Sequence, residues 1–389
     1  MRPKTSLVRR ASLWLSAIVL LLALMEGASS VFLHFVIGSS AHFLLWDPNL
    51  SAAHEQWVKA AGHWDDELGW PSAREAVSPP RNGLGAKQNA DFPQASPCAS
   101  IYGDSFVWGD DVPLADGWVE QLSRKIGCWL ANYGVGGYGT DQAYVRFMRN
   151  LRDEAPVALL GIFPEDAERN VNQFRALIGF NQTPVGLKGR FVLDGAGRLE
   201  WLHRPRIDEA GYLRLLRDPA SVVPRDYMLP DTRDGPVTLR FPYLLTVARV
   251  ALMPRLRVRI TGAPSWADFY RTDHPSGALA LTVAIAEAFV REAAHRGKRG
   301  LVVMLPGASS FRAWAKYGEP DYQPLVAQLA ARHVEVFDPA SALLAKLGRR
   351  SYCDLYAVPA SCSGHYGIFG SGLVADVMLA ELRRRGLVK

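Results

Sequence analysis

Ala99-Ser100-Ile101-Tyr102-Gly103-Asp104-Ser105-Phe106 decides the architecture. Ala99 to Tyr102 is short, apolar and followed at once by a turn, which predicts a buried strand. Gly103 lets the chain bend, and Asp104 can hold the bend by accepting backbone hydrogen bonds. Ser105 then stands at the carboxyl edge of the strand, where open α/β sheets place their ligands. A Gly-Asp-Ser turn is common by itself, so its meaning depends on the segments around it.

Working outward, Trp118 to Ile126 predicts an amphipathic helix through Trp118, Val119, Leu122 and Ile126. A second strand, Trp129 to Tyr133, runs into Gly134-Val135-Gly136-Gly137-Tyr138-Gly139. Thr140 or Asp141 then caps a helix through Leu151, and Pro156 opens a third strand, Val157 to Phe163. The alternation breaks near Thr183. Gly189 to Leu202 has the pattern of a hairpin with Asp194-Gly195 at its tip. Prolines then recur from Pro205 to Pro254, and 183–275 is read as an insertion. Regular pattern resumes with helix Ser276 to Arg296, strand Gly300 to Leu305, helix Tyr322 to Arg332 and strand Val334 to Phe337. Helices Pro339 to Leu347 and Ser371 to Arg385 follow. Strands alternating with helices imply a parallel sheet with crossover connections. The expected fold class is α/β: a three-layer α/β/α flavodoxin-like domain over 96–389 with a parallel sheet, carrying the inserted subdomain. Proline-punctuated residues 41–95 are expected to be a linker.

The chain has 389 residues, of which 49% are apolar and 21% charged, so a substantial core is expected. A net charge of +6 is modest for this length and arginine is dispersed, which argues against a nucleic-acid partner. The first 40 residues differ from the rest. Arg2, Lys4, Arg9 and Arg10 precede an apolar run from Ala11 to Met25, and after Glu26 the apolar character resumes over Val31 to Ile37. The first run falls short of the ~20 residues a span needs, so a signal peptide cleaved near Gly27-Ala28-Ser29-Ser30 is the alternative. The resumed apolarity favours an uncleaved N-terminal transmembrane anchor over 1–40. Either way, the basic start places the remainder outside the cytoplasm. Protein partners are not legible.

Four cysteines suit an exported chain. Cys353 and Cys362 lie close in a loop-like stretch. Cys98 and Cys128 each precede a strand, and parallel neighbouring strands would bring them together. Buried free thiols are the alternative. There is no CxxC or zinc-like spacing, and no metal or cofactor is expected.

Three segments carry chemistry. Ser105 is the candidate nucleophile. The glycine turn satisfies G-x-G-x-x-G, but the preceding strand is not the first of the sheet, and no acidic residue ends the following strand as dinucleotide binding requires. Backbone N–H groups of such a turn serve equally well to hold an oxyanion. Ser363-Gly364-His365-Tyr366 places His365 on an irregular segment before the last helix, as a general base would stand. Phe163-Pro164-Glu165-Asp166 ends the third strand facing the same crevice, with helix capping by Asp166 as the alternative.

Together these segments resemble the SGNH/GDSL hydrolase superfamily. Gly103-Asp104-Ser105 is similar to its first block, Asn132 to Gly137 to its second, and Gly364-His365-Tyr366 with Gly370 to Ala375 to its fifth. The resemblance spans roughly Cys98 to Glu168 and Gly300 to Leu387. It implies Ser105 as nucleophile, His365 as base, and the Ser105 and Gly137 N–H groups as oxyanion donors. Two positions depart from the pattern. Glu165-Asp166 stands where Asn-Asp is usual, and an ionised carboxylate cannot donate a hydrogen bond. Cys362 stands three residues before His365, where an aspartate is usual. Asp354 is the nearest upstream carboxylate and the candidate replacement, leaving a Ser-His dyad, a relocated acid or a lost activity. The resemblance implies a serine-dependent ester hydrolase acting outside the cytoplasm on acyl esters of carbohydrate. The alternatives are an O-acyltransferase of cell-surface polysaccharide and a non-catalytic glycan-binding or assembly protein.

Overall fold

Residues 11–25 are apolar almost without interruption, and they fold as helix α1 (Thr5–Val31), which continues as a π-helical turn, Phe32–Ile37. The computed structural model describes residues 5–37, 42–60, 64–70, 85–93, 95–179 and 186–389. Pro71, Pro79 and Pro80 of the proline-punctuated segment, and Thr183, where the alternation breaks, lie outside them. Over Arg9–Phe35, 27 residues, the N-terminal helix is long and apolar enough to be a membrane anchor or a signal sequence.

Strand β1 (Leu45–Trp46) and helix α2 (Ala53–Ala60) follow. The described parts of 41–95 do not hang free as a linker would. Trp46, Leu68, Trp70 and Ala86 are buried in the main core, and buried Lys87 pairs with Glu120 at 3.2 Å. The apolar side chains of the described stretches are numerous enough to pack, and Pro48 and Pro93 stand in irregular backbone between them.

The central sheet begins with β2 (Ala99–Tyr102), which turns into the four-residue helix α3 (Ser105–Trp108). Helix α4 (Trp118–Ile126), β3 (Leu130–Asn132), α5 (Thr140–Arg149), β4 (Val157–Ile162) and α6 (Asp166–Asn170) come next. Within the insertion lie the hairpin β5 (Arg190–Leu193) and β6 (Leu199–Leu202), then α7 (Glu209–Arg217), β7 (Val237–Thr238), α8 (Tyr243–Leu252) and α9 (Pro254–Thr261). β7 pairs with β1 in parallel. Pro254 sits at the first position of α9, where its missing N–H costs nothing, so the proline-rich composition hides helices.

The rest of the chain supplies α10 (Ala278–His295), β8 (Arg299–Met304), α11 (Ala308–Tyr317), α12 (Gln323–Ala331), β9 (Val336–Phe337) and α13 (Ala340–Leu347). A hairpin of β10 (Tyr356–Val358) and β11 (Ser363–Tyr366) precedes the last helix, α14 (Ile368–Arg384). Helix α11 and this hairpin escape the sequence reading. Ser310 and Phe311 are the buried residues of α11, and both hairpin strands are partly exposed, so neither carries a strong apolar period.

The sheet is parallel with order β3-β2-β4-β8-β9, the flavodoxin arrangement. Successive residues face opposite cores. Ala99, Ile101, Val157, Leu159, Leu301 and Val303 pack with α4, α13 and α14. Tyr102, Ala158, Leu160, Val302 and Met304 pack with α5, α10 and α12. Both faces are covered, which is why these strands read as apolar runs. The order reverses at β2, so the ends of β3, β2 and β4 open into one crevice.

Candidate active site

Ser105 opens α3, directly beyond the turn that ends β2. Asp104 is the N-cap, its Oδ1 accepting from the Phe106 N–H at 2.9 Å. The glycine turn after β3 folds over this helix. Tyr133 N donates to Ile101 O at 2.8 Å and Val135 N to Gly103 O at 3.1 Å. Gly134 is required by close approach: a Cβ there would lie 2.5 Å from Trp108 N and 2.9 Å from Asp104 O. Gly137 has φ 76°, the left-handed region glycine enters without steric cost. Among the described residues, neither the Ser105 N–H nor the Gly137 N–H donates to a protein acceptor.

His365 lies on β11, and its Nε2 is 2.8 Å from Ser105 Oγ. Its Nδ1 is 2.9 Å from Asp111 Oδ2, and its backbone N–H donates to the same oxygen at 2.9 Å. Carboxylate, imidazole and hydroxyl thus form one hydrogen-bonded chain. Asp111 comes from the loop after α3, where it takes a left-handed φ of 69°, a conformation aspartate tolerates better than most residues.

Asp354 is therefore not the acid on His365. It lies in the turn Tyr352–Leu355 ahead of β10, and both His365 donors already converge on Asp111. Cys362, in the usual aspartate's place, is bonded to Cys353, and the disulfide ties the connecting turn of the hairpin that carries His365 to the turn ahead of β10. Cys98 is bonded to Cys128 across the starts of β2 and β3, with Cα atoms 6.2 Å apart. No free cysteine remains among the described residues.

Glu165 and Asp166 follow β4 at the start of α6, in a buried charge network beside the glycine turn. Arg169 Nη1 donates to Asp104 Oδ2 at 2.9 Å, to Tyr138 O at 2.8 Å and to Asp166 Oδ1 at 3.1 Å. Glu165 Oε1 receives Arg169 Nη2 and Arg175 Nη2, each at 3.1 Å. Burial raises the Glu165 carboxyl, but Arg169 and Arg175 outweigh it and hold the group below its usual range, ionised and an acceptor. Burial pushes Asp104 up against Arg169 and His365, and burial with the charge of Asp104 pushes Asp166 well up. Asp166 does not cap α6 with its side chain, because Thr140 Oγ1 and Arg169 take its oxygens. Thr140 and Asp141 likewise lie inside α5, whose N-cap is Gly139.

Aromatic rings build one wall. Phe106 packs on His365 with centroids 4.8 Å apart and stacks on Phe163 at 4.1 Å, while Trp266 of the insertion meets Phe163 at 5.8 Å. Trp70 donates to Gly136 O at 3.0 Å and covers the glycine turn from outside. Asp111, Arg169, Arg175 and Trp70 are absent from the sequence reading. The one available signal was the adjacent carboxylates Asp110-Asp111 following α3. Among the described residues no cluster of metal-ligating side chains occurs.

No family model and no curated protein matches this sequence. Solved structures give distant likenesses. A protein described as a lipolytic member of the G-D-S-L family from Desulfitobacterium hafniense DCB-2 has 10% identity and TM-score 0.35, covering 72% of this chain and 97% of its own. A member of the lipolytic G-D-S-L family from Veillonella parvula DSM 2008 has 13% identity and TM-score 0.32, covering 74% and 98%. A protein described as a possible lipase from Chitinophaga pinensis DSM 2588 has 11% identity and TM-score 0.32, covering 74% and 98%. Two of the three bear the family name that the Ser105, Gly137 and His365 segments resemble. At these TM-scores no residue role passes from them to this chain, and the chemistry stands on the geometry of Ser105, His365 and Asp111.

Proposed function

We propose that the chain is a serine-dependent ester hydrolase that acts outside the cytoplasm. The observation that carries this is the hydrogen-bonded series Ser105 Oγ, His365 Nε2, His365 Nδ1 and Asp111 Oδ2, with links of 2.8 and 2.9 Å. His365 takes the Ser105 proton as Oγ attacks the ester carbonyl, and Asp111 stabilises the imidazolium that forms. The Ser105 and Gly137 N–H groups hold the tetrahedral oxyanion. His365 then protonates the leaving alcohol, and water attacks the acyl-enzyme by the same route in reverse. Glu165 takes no part as a donor: it fixes Arg169 and Arg175, and Arg169 holds Asp104 and Tyr138 under the nucleophile turn.

The location is supported by the apolar helix Arg9–Phe35, the arginines ahead of its apolar run, and two disulfides that a reducing compartment would not maintain. The narrower form of the proposal makes the substrate an acyl ester of carbohydrate, since an anchored extracytoplasmic domain faces surface polysaccharide. Trp266 brings the insertion to the wall beside Phe163 and gives it a part in substrate choice. Supplying a chromogenic acetyl ester with and without an oligosaccharide acceptor tests the reaction. The proposal expects acid release independent of acceptor and abolished in Ser105→Ala. Acyl groups recovered on the oligosaccharide would instead establish transfer, and no turnover of any ester would remove the enzyme reading.

A further inference from the structure

Glu26 interrupts the apolar N-terminal run, yet its side chain does not stand alone. It accepts from the Tyr243 N–H, and at 3.0 Å from the Leu244 N–H, so it caps α8 of the insertion. A helix N-terminus is where a carboxylate is best stabilised away from water. The inner face of α8 continues this contact: Tyr243, Val247 and Val250 pack with Leu33 and Ile37 beyond the end of α1.

The opposite face of α8 is also apolar. Leu245, Ala248 and Leu252 recur at spacings of three and four, one helical stripe, and Phe241 leads into it. Phe241, Leu245 and Leu252 are 71%, 59% and 81% exposed. The one charged residue of α8, Arg249, turns back to Asp231 at 3.2 Å, and Arg240 joins the same carboxylate at 3.4 Å. Arg249, four residues after Leu245 and three before Leu252, thus borders the outward stripe as a half-exposed, ion-paired charge whose aliphatic stem suits a lipid–water boundary. Helix α8 packs beside the end of α1 and the turn that continues it, where Val31 and Phe32 are exposed as well.

We propose that α8 is a membrane-interfacial foot: its outward stripe lies in the outer boundary of the lipid bilayer, beside the anchor that it grips through Glu26. This rests on the reading of α1 as an uncleaved anchor. At 1.5 Å per residue Glu26 lies about 26 Å along the helix from Arg9, close to the ~30 Å depth of a hydrocarbon core. The cap thus sets α8 at the level where the core gives way to headgroups. Ten residues are too few to span and suit an interfacial segment. A helix held this way fixes the height and orientation of the catalytic crevice over the membrane, which an anchor alone leaves free to swivel.

The test uses the full chain in lipid nanodiscs. All four native cysteines are in disulfides, so a single introduced thiol takes a nitroxide label selectively. Labels go at Leu20→Cys within α1, at Leu245→Cys and Leu252→Cys on the stripe, and at Leu151→Cys, an exposed site on the α/β domain. Collisional broadening by oxygen and by a water-soluble nickel chelate is compared at each. Positions 245 and 252 are expected to favour oxygen over nickel several-fold relative to 151, at a shallower depth than 20. If 245 and 252 behave like 151 while 20 stays buried in lipid, the foot is wrong and the anchor stands. If 20 is also aqueous, or the mature chain starts beyond Glu26, the anchor reading fails and takes the foot with it. Circular dichroism of each labelled chain checks folding.

Discussion

Asp111 Oδ2 accepts twice from His365, once from the imidazole Nδ1 and once from the backbone N–H, both at 2.9 Å. One oxygen therefore fixes the ring tautomer and the position of β11 together. Asp111→Asn is expected to lower kcat by about 10²-fold or more, short of the ~10⁴ typical of a buried triad aspartate because Asp111 is 44% exposed. Asp354→Asn is expected to leave kcat unchanged. Steady-state hydrolysis by the two variants checks the assignment, and the opposite ranking would restore Asp354 as the acid.

Gly137→Ala tests the oxyanion turn. At φ 76° an alanine costs about 1–2 kcal/mol of backbone strain, and its Cβ would meet Trp70 Nε1 at 3.5 Å. Displacing one oxyanion donor lowers kcat by roughly 10²–10³. The expected result is a large loss of kcat with a modest loss of melting temperature. Wild-type kcat in the variant would show that Gly137 shapes the turn without binding the oxyanion.

The two disulfides are expected to separate stability from activity. Cys98–Cys128 closes a separation of 30 residues at the amino ends of the strands, far from the crevice. Replacing both with serine should cost roughly 3–4 kcal/mol by loop entropy and leave kcat of the folded enzyme intact. Cys353–Cys362, with a separation of 9, ties the turn of the hairpin bearing His365 to the turn ahead of β10, and its loss should lower kcat as well. Urea unfolding and initial rates on both double variants check this.

Burial on α6 makes stability depend on pH. Glu168 is fully buried beside Ser265 Oγ, and burial, aided by Glu165 and opposed by Arg255, pushes its carboxyl up to about 7 from 4.5. The folded state then keeps a proton that the unfolded chain has lost, so this contribution is complete below pH 4.5 and falls as pH rises through 7. Its size is about 3 kcal/mol by linkage. Glu168→Gln should raise the melting temperature at pH 8 and leave it nearly unchanged at pH 4. An equal shift at both would place the effect in packing instead.

The strands were legible because strands buried on both faces leave short apolar runs. Ala99 to Tyr102 and Trp118 to Ile126 are found as predicted from spacing and turn residues. The carboxylate that pairs with His365 was not legible. Asp111 reaches His365 across 254 positions of sequence through a loop whose path depends on the left-handed Gly109 and Asp111. The role of Glu165 was hidden for a related reason: Arg169 and Arg175, which decide it, lie beyond the motif. The contact of Glu26 with α8 joins residues 217 apart through a cap, which no periodicity records.

An activated Ser105 is the centre of the proposed chemistry. The most direct test treats the folded full chain with a fluorophosphonate and locates the adduct by mass spectrometry. One adduct on the Ser105 peptide is expected, absent in Ser105→Ala and formed far more slowly in His365→Ala and Asp111→Asn. A folded wild-type chain that takes no label, or labels at a rate indifferent to His365 and Asp111, would contradict it.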